Sequence, residues 1–456
     1  MPNPLNAATR FLGILVATAA VAAGAVTGAP LAHADRSEAD IYRLPAGYEQ
    51  TRPGTILAGK SVEVPALRTL PVAARAWQLL YRTTAADGSP YAAVTTVLVP
   101  DGPSQSRPLL SFQMAYDSVD PACAPSRTLT SDVASGVAAG TLSLDIASAA
   151  AALARGWAVS LPDPGGVDAH FFTPREMGYA TLDGIRAAAN FAPAGLAGAK
   201  TKVAMWGYSG GGIASSWAAE LQPQYAPELH VAGAAIGAPV ADMFGALHAA
   251  SGRATAGLVP IGMASIAKDD PEFAARLQDY LTPLGRQVIA ETAEQCARPV
   301  VSKNAFRPVG EYLSKPVAEV LSDPVIAAAM TARGRGWHAP VIPVYVYNGV
   351  HDEVSVIGGT DRMVNSYCAE GASVTYVRDD LPDLVSNHGI VAITGIGGAF
   401  EWITRALSSD QPVQPSGCDI RTVATTATDL ANVRVLPGFL QSMAQTLLAA
   451  RLSAGR

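Results

Sequence analysis

The residues best suited to chemistry in this 456-residue chain are Gly207-Tyr208-Ser209-Gly210-Gly211. The pattern G-x-S-x-G is short, so its neighbours carry the argument. A buried-strand run, 203–206, precedes it and a helix-forming run, 211–221, follows. A strand that turns at once into a helix holds the serine in a strained backbone conformation with its hydroxyl exposed, and side chains at the flanking positions would clash. Such a hydroxyl attacks a carbonyl carbon only when an imidazole takes its proton and a carboxylate holds that imidazole.

In a wound sheet with this elbow the chain order is serine, acid, histidine. Of the seven histidines, His33, His170, His230, His248 and His338 come too early, and His351 adjoins the acid. His388 remains, in Ser386-Asn387-His388-Gly389, just ahead of a helical run at 390–407. The acid belongs on the loop leaving a late strand. Residues 342–347 form that strand, the loop reads Asn348-Gly349-Val350-His351-Asp352-Glu353, and Asp352 takes the role with Glu353 as its near rival. Asp361, Asp379, Asp380 and Asp383 are less well placed. A tetrahedral intermediate also needs backbone N–H donors. Gly210, after the nucleophile, is one; Asp117, in the loop Gln113-Met114-Ala115-Tyr116-Asp117-Ser118, is the other by position alone.

The elements that must hold these residues alternate. Strand-like runs at 77–83, 92–99, 108–114, 157–161, 203–206, 231–236, 342–347 and 373–377 are interleaved with helical runs at 144–155, 182–191, 211–221 and 390–407. That order predicts an α/β core with a mainly parallel sheet covered on both faces. The alternation is interrupted at 243–335 by short helical pieces broken by prolines, at 271–280, 283–296 and 316–330, which read as an inserted helical lid. The core is thereby split into 35–242, beginning with an irregular lead-in to about residue 75, and 336–456, ending in a helix at 437–452. Within the insertion, Leu258, Val259, Ile261, Met263 and Ile266, and again Val317, Val320, Leu321, Val325 and Ile326, offer more apolar surface than a small cap needs. They serve either as the lid's own core or as the wall of an acyl-binding tunnel.

Residues 1–34 read as an export signal: Arg10 precedes an apolar stretch at 11–26, and Ala32-His33-Ala34 supplies a small-x-small cleavage pattern after Ala34. The stretch is shorter than the about 20 residues a spanning helix needs. The expected product is a soluble, secreted protein. Its four cysteines, Cys123, Cys296, Cys368 and Cys418, then lie in an oxidising compartment, which favours two disulfides with three connectivities open. No CxxC or HxxxH spacing offers metal ligands, and no metal or organic cofactor is expected. With a formal net charge of −6 and no basic cluster, the chain has no footprint for nucleic acid. The expected partners are a lipid or other ester substrate and a transient lipid interface, with no obligate protein partner.

Several segments together resemble one family. Tyr116-Asp117-Ser118, Asp120-Pro121-Ala122-Cys123-Ala124-Pro125-Ser126, the Ser209 elbow, Gly349-Val350-His351-Asp352 and Asn387-His388-Gly389 are similar to the secretory lipases typified by Candida antarctica lipase A. The resemblance covers most of the mature chain, and the Asp120 segment is its most distinctive part. It implies an α/β-hydrolase core, triacylglycerol lipase or esterase activity, a helical lid and an oxyanion hole at Asp117 and Gly210. It further implies a disulfide from Cys123 into the lid at Cys296, which leaves Cys368 to pair with Cys418. The chemistry expected is carboxylic-ester hydrolysis through an acyl-enzyme. The same triad would serve acyl transfer to another alcohol or amide cleavage, and a silent hydrolase fold acting as a binding protein is the reading from a different class.

Overall fold

A computed structural model describes residues 41–102, 107–139, 144–334, 338–408, 413 and 417–454. The signal-peptide reading of residues 1–34 and the expected lid boundary at 335 lie outside the described residues. The sheet has ten strands: β1 (Ile56–Val62), β2 (Ala74–Thr84), β3 (Pro90–Pro100), β4 (Leu109–Gln113), β5 (Ala158–Pro162), β6 (Val203–Tyr208), β7 (Val231–Gly237), β8 (Val344–Gly349), β9 (Val374–Asp379) and β10 (Cys418–Val423). Their spatial order is β1-β2-β3-β5-β4-β6-β7-β8-β9-β10. β1, β2, β3 and β5 pair antiparallel, and every pairing from β5 through β4 to β10 is parallel.

The central strands are apolar on both faces because helices cover both. Along β6, Ala204 and Trp206 join one core while Val203 and Met205 join the other. Along β8, Tyr345 and Tyr347 alternate in the same way with Val344 and Val346. The period of two thus sorts neighbouring residues into opposite layers. Helices Leu144–Ala154 and Ile396–Ser408 contribute to the first layer; Glu176–Asn190, Gly210–Tyr225 and Ile357–Ala369 contribute to the second. Fully burying one such aliphatic or aromatic side chain stabilises by about 1.5–3 kcal/mol, so the two layers hold the central strands, and the loops at their ends, in place.

The sequence expectations differ from the structure in several places, the C-terminal helix among them, which begins at Leu430 and not at Pro437. The lead-in is not irregular throughout: Ile56–Val62 is a strand on the sheet's edge, with only its inner side shielded, so it lacks the apolar run that marks a buried strand. β10 was not anticipated for the same reason, being exposed along nearly its whole length. The run at 390–407 is two helices, Asn387–Thr394 and Ile396–Ser408, bent 41° at Gly395. A Cβ at Gly395 would press on the Tyr347 ring, so the close packing at the bend demands glycine there. The piece at 316–330 is likewise two helices, Val317–Ser322 and Pro324–Thr331, because Asp323 ends the first and caps the second.

Between β7 and β8 the elements of the described chain are all helices, running from Met243–Ala250 through Leu258–Asp269, Pro271–Tyr280, Pro283–Thr292 and Ala297–Lys303 to Pro324–Thr331, with one isolated β-bridge between Leu281 and Leu313. The helix Pro283–Thr292 stops short of Cys296. Asp270, Thr282 and Asp323 cap successive helices, each followed by proline, which accounts for the piecewise texture of this segment. A disulfide joins Cys123, beyond β4, to Cys296 in this insertion, and a second joins Cys368 to Cys418. These are the pairings the family resemblance implies. Among the described residues no single helix is long and apolar enough to cross a membrane.

Candidate active site

The loops leaving β4, β6, β8 and β9 lie at the carboxyl ends of neighbouring parallel strands, where α/β sheets place their sites. At the end of β6, Ser209 has φ 55° and ψ −120° and its N–H is held by the Gly237 carbonyl at 3.0 Å. That is backbone strain in a non-glycine residue, held by the packed turn around it. A Cβ at Gly207 would overlap the Gly211 carbonyl, and one at Gly211 would overlap the Gln113 carbonyl. The glycines of the elbow therefore answer a steric requirement of the packed turn.

Ser209 Oγ lies 2.8 Å from His388 Nε2. His388 Nδ1 lies 2.9 and 3.0 Å from the two carboxylate oxygens of Asp352. With Nδ1–H donating to the carboxylate, Nε2 is left to accept the serine proton. Asp352 is itself fixed: its Oδ1 accepts the N–H groups of Val354 and Ser355 at 2.8 and 2.7 Å. All three residues are buried, at 7%, 8% and 4% exposure. Burial works against a charged imidazole, but Asp352, Glu353 and Asp117 outweigh it and His388 is held above its ordinary pKa. Glu353 does not reach the ring; its oxygens take the Ser386 hydroxyl and the His388 backbone N–H. The His351 ring faces Asp380 at 3.3 Å, and His170 faces Glu176 at 2.9 Å, so each imidazole is paired with a carboxylate other than Asp352.

Asp117, at φ 38°, lines the same hollow as Ser209 and Gly210. Its side chain packs so closely on Gly210 that a Cβ there would overlap Oδ1. That oxygen is buried without a hydrogen-bond partner, and burial, opposed by His388, raises the carboxyl to about 6. Reading by position located Asp117 but gave no hint of the left-handed backbone that turns the loop toward the serine. Sequence reasoning also missed Tyr208, whose hydroxyl donates to the His388 carbonyl at 2.7 Å and whose ring lies 5.1 Å from the imidazole. Its place inside the G-x-S-x-G pattern was the available signal.

The hollow opens into a cavity of about 920 Å³, mouth included. Apart from Asp117 and Ser209 its lining is apolar, and much of it comes from the helical insertion, including Leu258, Ile261, Val317 and Ile326. Of the ten apolar insertion residues singled out in the sequence, all but Val325 line it. The same segments also belong to the insertion's own core, so the two readings of that apolar surface are not exclusive. Among the described residues no cluster of His, Cys, Asp and Glu could hold a metal ion.

The profile of the family described as secretory lipase matches residues 131–415. The chain belongs to the secretory lipase family. Curated relatives of the chain include a probable inactive lipase of Mycobacterium tuberculosis, 39% identical over 78% of this chain and 80% of that one. Lipase A of Arthroderma benhamiae is 34% identical over 90% of this chain and 86% of that one. Among solved structures, the closed state of Candida antarctica lipase A superposes with a TM-score of 0.73 at 25% identity, covering 87% of this chain and 94% of that one. The fold is that of the α/β hydrolases, as in that lipase.

Proposed function

We propose that this secretory lipase is an exported carboxylic-ester hydrolase acting through Ser209, His388 and Asp352 on esters with an extended apolar acyl chain, such as triacylglycerols. Ser209 Oγ attacks the acyl carbon as its proton passes to His388 Nε2. The oxyanion is received by the backbone N–H groups of Gly210 and Asp117. The alcohol leaves with the proton from Nε2, and water repeats the sequence on the acyl-enzyme, with His388 first base and then acid. Asp352 orients the imidazole and stabilises the imidazolium. Helices of the 243–334 insertion act as a lid, and the cavity they line takes the acyl chain. One observation carries the reading: the hydrogen-bonded line from Asp352 through His388 to Ser209 Oγ ends at an apolar cavity.

A silent binding protein is the competing reading, favoured by the name of the Mycobacterium tuberculosis relative. A binding surface has no use for a strained serine held against a histidine–carboxylate pair. Labelling with a fluorophosphonate probe, followed by peptide mapping, separates the two. The expected result is one adduct on Ser209 with loss of hydrolysis of soluble p-nitrophenyl esters. An unlabelled, inactive but folded protein rejects the enzyme reading.

A further inference from the structure

Glu353 follows Asp352 in the acid loop and is 3% exposed. A carboxylate so deeply buried is costly unless its oxygens are bonded. Both are: Oε1 accepts the Ser386 hydroxyl at 2.7 Å, and Oε2 accepts the His388 backbone N–H at 3.1 Å. Ser386 is the cap of the helix Asn387–Thr394, its Oγ also accepting the Gly389 N–H at 3.1 Å. His388 is the second residue of that helix, where backbone N–H groups have no partner within the helix. Glu353 supplies the missing acceptor, and its charge meets the positive end of the helix. On the other side, the Tyr208 hydroxyl holds the His388 carbonyl at 2.7 Å. The peptide that carries the imidazole is thus gripped from the acid loop and from the elbow together.

We propose that Glu353 is a positioning residue for ester hydrolysis, fixing the first turn of the His388 helix so that the imidazole spans Asp352 and Ser209. The inference rests on the triad reading above. The adjacent Asp352 and Glu353 divide the labour: one holds the ring and the other holds the backbone beneath it. The charged groups facing His388 are Asp352 and Glu353 from the loop after β8 and Asp117 from the loop after β4, with the Tyr208 ring tilted beside it. Arg253, which is bound to Asp383, is the cation that senses Glu353 at longer range. Removing the Glu353 charge takes away one of the three carboxylates that favour the imidazolium. The acid limb of the rate profile must then move, which a loss of mere packing would not produce.

The test compares Glu353→Gln, Glu353→Ala and Ser386→Ala in the full mature enzyme, using a soluble p-nitrophenyl ester across pH, with thermal unfolding followed in parallel. Glu353→Gln keeps the shape and an acceptor for the His388 N–H. It is expected to lower kcat by about tenfold or more with KM within about twofold. Its acid limb of kcat/KM is expected to shift to lower pH. Ser386→Ala should lower kcat less and leave the limb in place, because the charge remains; Glu353→Ala should be the most damaging. If Glu353→Ala does not fold, the near-isosteric Gln variant decides alone. A Glu353→Gln enzyme with parental kcat and an unmoved limb overturns the proposal. Ser209→Ala run alongside keeps the two readings apart: activity in that variant rejects the triad itself, whereas an inactive Ser209→Ala beside a parental Glu353→Gln rejects only the role of Glu353.

Discussion

Gly262 offers the sharpest test of where the acyl chain goes. It sits within the helix Leu258–Asp269 and lines the cavity, and a Cβ built on it meets no atom within 4 Å. A larger side chain there enters open space in the tunnel instead of displacing its neighbours. Glycine inside a helix is about 0.8–1 kcal/mol worse than alanine, so Gly262→Ala and Gly262→Leu should both leave thermal stability equal or slightly raised. Burying one methylene of the substrate contributes about 0.8 kcal/mol, or roughly fourfold in kcat/KM. The four carbons of a leucine side chain displace about four methylenes, which predicts a loss of about 3 kcal/mol, near 200-fold, for acyl chains long enough to reach the position. Acetyl ester hydrolysis should stay within about twofold of the parent, since the carbonyl site is untouched. The assay is kcat/KM for p-nitrophenyl esters from acetate upward, each below its aggregation limit. The parent should rise with chain length and then level, while Gly262→Leu should level several carbons earlier. If the variant keeps the parental ratio of long to short esters, the acyl chain does not pass this helix and the tunnel assignment is wrong.

Further outcomes follow from the same structure. Ser209→Ala should abolish hydrolysis while unfolding at the parental temperature, and Asp352→Asn should be milder than His388→Ala; Asp352→Asn left fully active would move the acid's role elsewhere. Replacing Cys123 and Cys296 together by serine opens a link between residues 173 apart, and denaturant titration should show a loss of about 2–5 kcal/mol. Unchanged stability would mean that the bond adds nothing. Burial raises Asp163, which accepts from the Ser126 N–H and hydroxyl, to about 7. An acid whose folded pKa lies above its unfolded value near about 3.9 costs stability progressively as pH rises from there to about 7, and the cost is constant above. Asp163→Asn should therefore gain in melting temperature relative to the parent on going from pH 5 to pH 8; parallel curves would refute the assignment. Amino-terminal sequencing of the exported protein should begin at Asp35, and a retained Arg10 would reject the signal reading.

What could be read in the sequence divides along physical lines. The strained turn at Ser209 was legible because the elbow leaves a local signature: apolar residues at 203–206, crowded glycines, and a helix directly after. The central strands were legible because burial on both faces writes itself as continuous apolar runs. β1 and β10 were not, since an edge strand is specified mainly by a neighbour's backbone, and exposed positions such as Lys60 and Asp419 carry no burial signal. Asp352 and Glu353 stood as rivals for a related reason. Which of two adjacent carboxylates turns toward the ring depends on the Val354 and Ser355 N–H groups that capture Asp352, and that capture is a feature of the folded loop. The need for glycine at position 395 depends on the Tyr347 ring, which β8 brings against it only in the folded chain.

The bond between Cys123 and Cys296 has a mechanical meaning. Cys123 lies six positions beyond Asp117, and between them Ser118 also donates to the Gln295 carbonyl at 3.0 Å. The loop carrying Asp117 and the stretch of insertion ahead of Ala297–Lys303 are thus coupled at two adjacent points, one of them covalent. On the proposed reading, a wholesale swing of the insertion would drag that loop off the serine and spoil the geometry it exposes. Substrate entry compatible with catalysis would then require motion that leaves Gln295 and Cys296 at rest. Such a tie would make admission and readiness to react dependent on one another.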